Sequence, residues 1–138
     1  MKSRVHLYAL LVCLAVCGVG CNYIGRRTNK PSETVKAFYE HVEAGNVDEA
    51  AKLMSKNGMF ESMGGMEGFR KYVAKDSEYF RQMGGIESIT INKERIFGEG
   101  AEVDVILKLR KDEKPLRPDF TLVWGPKDTS WEIAGWRY

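Results

Sequence analysis

The chain predicts an α+β fold, with N-terminal helices packed on a curved, four-stranded antiparallel sheet. Three observations carry that expectation. Between residues 31 and 83, apolar side chains recur at i, i+3, i+4 and i+7, the spacing of a helix with one buried stripe. From residue 88 the period falls to two, the spacing of a strand with one buried face. The connections are short and glycine-containing, so helices first and strands afterwards form two layers of one domain.

Each element has its own local cause. Pro31 suits the first turn of a helix, where its missing N–H has no partner to lose. Ser32 to Ala44 carries Val35, Phe38, Tyr39 and Val42 on one stripe, and Gly45 ends it. Asn46, with Glu49 three residues on, resembles a capping box. It opens a second helix, about Val47 to Ser55, that buries Ala50, Leu53 and Met54. Asn57-Gly58 is a turn, and Gly64-Gly65 breaks the chain again. A third helix, about Met66 to Met83, aligns Phe69, Tyr72, Val73, Phe80 and Met83, with Tyr79 on the edge of the stripe. Gly84-Gly85 closes it.

Four strands follow. Ile89 and Ile91 alternate with Ser88, Thr90 and Asn92. Ala101, Val103, Val105, Leu107 and Leu109 alternate with mostly polar residues in the clearest strand of the chain. Phe120, Leu122 and Trp124 form the third apolar row. Gly125-Pro126-Lys127-Asp128 is a turn, and Trp131 to Tyr138 is the last strand.

The first 21 residues say where the protein is held. Lys2 and Arg4 precede an apolar run from Val5 to Val16, and Gly18-Val19-Gly20 supplies small residues before Cys21. This is the order of a secretory signal peptide. The run is too short to span a bilayer comfortably, since about 20 residues are needed. The junction resembles a lipobox, with Gly18 in place of the usual leucine. A competing frame at Leu14-Ala15-Val16-Cys17 places bulky Val16 at the cleavage position. The expected domain organisation is a lipoprotein signal peptide at 1–20, a lipidated tether at 21–30 and one domain at 31–138. Lipid on Cys21 is then the membrane anchor. Asn22 after the cysteine points to the outer membrane in a Gram-negative bacterium. Cleavage without lipid is the alternative, and it leaves an exposed thiol in an oxidising compartment.

Composition narrows the function classes. The chain has 21 basic and 19 acidic residues, and removing Lys2 and Arg4 with the leader leaves a formally neutral protein. No broad basic face suggests nucleic acid. The three cysteines all lie at or before Cys21, so none is available to staple the domain, and burial must supply its stability. One histidine, His41, remains after the leader and falls off the buried stripe. No metal site of the usual His and Cys type is expected, and no cofactor motif is present.

Three segments resemble a known superfamily. PSETVKAFYEHVEAGNVDEAAKLM looks like the first two helices of the nuclear transport factor 2-like superfamily, MGGIESITI like the start of its sheet, and SWEIAGWRY like its closing strand. The resemblance covers residues 31–138 and is nearest to small bacterial lipoproteins with a domain of unknown function. It implies a cystatin-like cone of helices against a curved sheet. One enzyme of that superfamily, ketosteroid isomerase, uses a tyrosine donor and an aspartate base in its cone. Carried over, those positions are Phe38 and Ser62, neither able to play its part. Tyr39 and Glu61 are each one position off.

The expected activity is therefore non-catalytic binding or interaction on the bacterial cell envelope, with no catalytic residue assigned. The alternatives are a small-molecule enzyme (isomerase, dehydratase or hydrolase type) in the cone, and an assembly component that works through the sheet face. Candidate pocket residues are Phe38, Tyr39, Met54, Phe60, Phe69, Tyr72 and Trp124. The methionines of the helical half would suit a hydrophobic small molecule, or would simply fill the core. Ile106, Val123 and Trp136, with Tyr138, fall on the opposite sheet face and would suit an envelope protein or a homodimer. A bulge at Gly135 would instead turn Trp136 inward.

Overall fold

A computed structural model describes residues 30–125 and 130–138. The expected leader at 1–20, the expected anchor residue Cys21, the expected tether up to residue 29 and the expected turn at 126–128 lie outside the described residues. Helix α1 spans Pro31–Glu43, α2 Val47–Lys52, α3 Met59–Ser62 and α4 Gly65–Gln82. Strands β1 (Ile86–Phe97), β2 (Gly100–Leu109), β3 (Asp119–Trp124) and β4 (Trp131–Arg137) form an antiparallel meander in that order.

The punctuation read from the sequence is the punctuation of the fold. Pro31 occupies the first turn of α1, and the Glu33 carboxylate accepts the Lys30 backbone N–H at 3.3 Å. After α1, the N–H groups of Gly45 and Asn46 donate back to Val42 and His41, with Gly45 at φ +72°. This is a Schellman closure, and it needs a residue that accepts the left-handed region. Gly84 and Gly85 repeat it after α4, donating to Arg81 and Phe80.

Two helical expectations are corrected. Asn46 does stand before α2, but its side chain makes no capping bond. The helix also ends at Lys52, not Ser55, because the chain turns to follow the free edge of β4. Ser55 N–H donates to the Ile133 carbonyl and Ile133 N–H to the Leu53 carbonyl, each at 2.8 Å. These bonds satisfy an edge that would otherwise invite another strand. The one-turn α3, which carries Glu61 and Ser62, was not foreseen.

The core lies between the helices and one face of the sheet. Val35, Phe38, Tyr39 and Val42 of α1 and Phe69, Val73 and Phe80 of α4 meet Ala101, Val103, Val105, Leu107 and Leu109 of β2. Phe120, Leu122 and Ile133 complete it, all almost fully buried. The alternation in β2 is thus read correctly.

The last strand decides which face Trp136 takes. Thr121 pairs with Gly135, while the next residue, Leu122, pairs with Ile133. Ala134 is therefore the extra residue of a bulge, and the alternation slips by one beyond it. Trp136 turns into the core, 8% exposed, stacked on Phe120 at 5.7 Å. Its placement as an interface residue is overturned. The bulge is held from outside by α3. A Cβ on Gly58 would lie 2.9 Å from the Ala134 carbonyl oxygen, and one on Gly135 would lie 3.4 Å from the Met59 Cβ.

Replacing Trp136 with alanine is expected to cost about 3–5 kcal/mol of unfolding free energy, as for a buried ring. Thr121→Ala, exposed on the neighbouring strand, should stay within about 0.5 kcal/mol of the parent. Urea unfolding of both variants checks this, and similar midpoints would show that Trp136 faces solvent.

Candidate functional site

The interior of the cone is lined by rings that touch one another. Phe38, 0% exposed, stands with its centroid 5.2 Å from Trp136, 5.8 Å from Tyr39, 6.0 Å from Phe120 and 6.4 Å from Phe69. Tyr72 lies 5.0 Å from Trp136, and Phe60 lies 5.5 Å from Phe69. These are the separations at which aromatic pairs attract. Of the predicted pocket residues, Phe38, Tyr39, Phe60, Phe69 and Tyr72 are thus brought together as a packed cluster. Met54 is buried against the edge of β4. Trp124 belongs elsewhere. It packs edge-on against Trp131 at 5.0 Å, beside the β1–β2 hairpin.

The two positions that the resemblance set against the isomerase tyrosine and aspartate lie far apart in character. Phe38 is the centre of the ring cluster. Ser62 is exposed on α3, and its hydroxyl donates to the Met59 carbonyl at 2.8 Å.

A polar group caps the cluster. The hydroxyls of Tyr39 and Tyr72 are buried, and neither has a hydrogen-bond partner among the described residues. Burial raises both above the ordinary tyrosine range, and the neighbouring Tyr138 hydroxyl and Asp76 carboxylate push the same way. Burial also raises Asp76 above the usual carboxylate range. Asp76 went unremarked in the sequence, although it stands four residues after Tyr72, one turn along the same helix face.

The second feature is an open groove of about 580 Å³ over the outer sheet face and its edge. Its walls include Met59 above Gly135, and its floor carries Arg95, Glu102, Asp104, Asp119 and Arg137. The charges pair across strands. Arg95 bonds its register partner Glu102, and Arg137 Nε lies 3.5 Å from Asp119 Oδ2. Asp104 faces Asp119 directly. Partial burial raises the Asp104 carboxyl above its ordinary range, and the hydrogen bond and negative charge of Asp119 raise it further.

This face is ionic where an apolar patch was expected. Ile106 and Val123 are both half-buried. Val123 pairs with Gly100, six residues from Ile106 along β2, or about 20 Å. Glu102 and Asp104 lie between them, so the two do not form one patch. The polar alternation was visible in the sequence. The register that gathers these five residues was not.

Among the described residues, no group of three or more His, Cys, Asp or Glu side chains is placed to hold a metal ion. No helix among them is long and apolar enough to cross a membrane.

Comparison with known proteins agrees with this architecture. The crystal structure of a Campylobacter jejuni protein, provisionally assigned as an NTF2-like transpeptidase, superposes with a TM-score of 0.63 at 18% identity. The match covers 75% of this chain and 95% of that one. A de novo designed protein with a curved β-sheet superposes with a TM-score of 0.50 at 13% identity, over 78% of this chain and 97% of the design. No family model and no curated protein matches the sequence. The chain has the NTF2-like α+β fold.

The buried tyrosines set a pH dependence. A folded-state pKa raised above the unfolded value leaves stability intact below about pH 10 and removes it as pH climbs further. Each such tyrosine then contributes a loss of about 1.4 kcal/mol per pH unit. Tyr39→Phe should be neutral or stabilising at pH 7, since the hydroxyl it removes has no partner. Above pH 10 its unfolding free energy should fall less steeply than the parent's, by about that slope. Urea titrations between pH 7 and 11.5 measure both, and parallel curves would contradict the burial of an unpartnered hydroxyl.

Proposed function

We propose that this protein is a lipid-anchored component of the bacterial cell envelope, whose domain acts by non-catalytic binding. The groove over the outer sheet face is its recognition surface, and its occupant is a segment of another envelope protein with charges of both signs. The observation that carries this reading is the filled cone. Phe38, buried and packed ring against ring with Phe69, Phe120 and Trp136, stands where the resemblance places the isomerase tyrosine.

The anchor rests on the pattern that ends at Cys21. More than one acyl chain on a single residue is enough for stable attachment. Recognition rests on the groove. Arg95 and Arg137 present donors suited to carboxylates, and Glu102, Asp104 and Asp119 accept from cationic side chains. These ion pairs are exposed, so they choose a partner and its orientation more than they add affinity.

A small-molecule enzyme is the competing reading, and the tyrosine–aspartate cap favours it, since buried hydroxyls beside a raised carboxyl suit proton transfer. Two measurements separate the readings. Native mass spectrometry of the protein taken gently from the native envelope should show no retained small molecule. Cross-linking in the same cells should trap one envelope protein, and Arg137→Glu should reduce its recovery at least tenfold, while Tyr72→Phe leaves it unchanged. A retained adduct lost in Tyr72→Phe would instead establish the small-molecule site.

A further inference from the structure

We propose that the tip of the β1–β2 hairpin is a second membrane contact, which lays the end of the domain carrying the α1 N-terminus against the lipid surface. The proposal rests on the lipid anchor at Cys21.

Ile96 and Phe97 are 57% and 55% exposed, two of the three large apolar side chains found on the surface among the described residues. They are adjacent, on a two-residue turn formed by Gly98 and Glu99 between the paired Phe97 and Gly100. The tip is built to hold its shape. Gly98 takes φ +62°, and the Phe97 ring lies over Gly100, where a Cβ would meet it at 2.7 Å. The Glu99 carbonyl accepts the Trp124 N–H at 2.7 Å, which fastens the turn to β3. The half-buried Trp124 adds an indole at the same end, the side-chain type that favours a membrane interface.

Chain length chooses the occupant. The Ser32 N–H donates to the Glu94 carboxylate at 2.8 Å, so the start of α1 is fastened to β1 two residues before Ile96. On one face of a strand, two residues span about 7 Å. The nine residues between Cys21 and Pro31 reach at most about 30 Å. A lipid on Cys21 therefore keeps this end of the domain within that distance of the bilayer. The opposite end of β2, nine residues from Gly100 at Leu109, is held about 30 Å further out when the tip faces the membrane. Arg26, Arg27 and Lys30 belong to the segment that joins Cys21 to Pro31 and favour anionic head groups. Glu99 is the one charge in the four-residue tip and opposes them. The contact is therefore chiefly apolar, with Ile96 and Phe97 seated at the level of the head groups.

The test uses the full lipidated chain in vesicles of phosphatidylcholine and phosphatidylglycerol that carry a quencher on the lipid. A fluorophore is attached through Phe97→Cys in one sample and through Lys111→Cys, just beyond the far end of β2, in the other. Quenching at position 97 at least threefold stronger than at 111 is expected, and Ile96→Asp should abolish the difference. Equal quenching at the two positions with an acylated Cys21, read from the intact mass, overturns the hairpin contact and leaves the anchor standing. A Cys21 without acyl mass overturns the anchor, and the hairpin contact with it.

Discussion

Trp136 closes the core, and the rest of the structure depends on which face of β4 it takes. Strict alternation from Ile133 would send it outward. The single extra residue at Ala134 turns it inward, onto Phe38, Phe120 and Tyr72. A ring of that size, removed from water, is worth several kcal/mol. The bulge also leaves a close approach outside the sheet, which Gly58 and Gly135 accommodate. Position and partner thus support each other: α3 packs where the bulge lies, and the bulge brings in the ring that fills the cone.

Filling the cone reassigns the work of the two sheet faces. The inner face becomes a contiguous apolar core, and its polar exceptions sit at its margins. Glu94 is one of them, and its carboxylate receives the first free N–H of α1, where the helix dipole favours a negative charge. Thr34 and Ser55 are buried polar residues as well, and Tyr39, Tyr72 and Asp76 stand at the cap of the ring cluster. The outer face keeps its ionisable groups together, because antiparallel register sets Arg95 against Glu102, Asp104 against Asp119, and Asp119 against Arg137. Recognition by such a surface depends on the pattern of charges, which is why the proposed partner carries both signs.

Much of the fold was legible because it rests on local rules. Glycine pairs that end helices, a proline that opens one and the switch of period from 3.6 to 2 are all written in consecutive residues. The rings of the cone were legible for the same reason, since Phe38, Tyr39, Phe69 and Tyr72 share helical stripes. What was not legible depends on register. The bulge at Ala134 adds no unusual residue, so its effect on Trp136 stayed open. The groove joins all four strands, and nothing local announces that Arg95 and Arg137 flank one surface. The second helix was read as too long because Leu53 and Ser55 are satisfied by β4, a partner nearly eighty residues away.

The balance between pocket and core follows from size. The domain of 31–138 has no cysteine, so no disulfide can offset an interior left empty. A domain near a hundred residues has only a modest margin of stability, and each missing buried ring would remove several kcal/mol of it. An open cone is affordable when substrate binding or oligomer formation restores that loss. With Phe38 buried at the centre of the ring cluster and Trp136 turned inward, this chain fills its interior with its own rings. The proposed recognition surfaces, the groove and the hairpin tip, then lie outside this aromatic interior and do not draw on it.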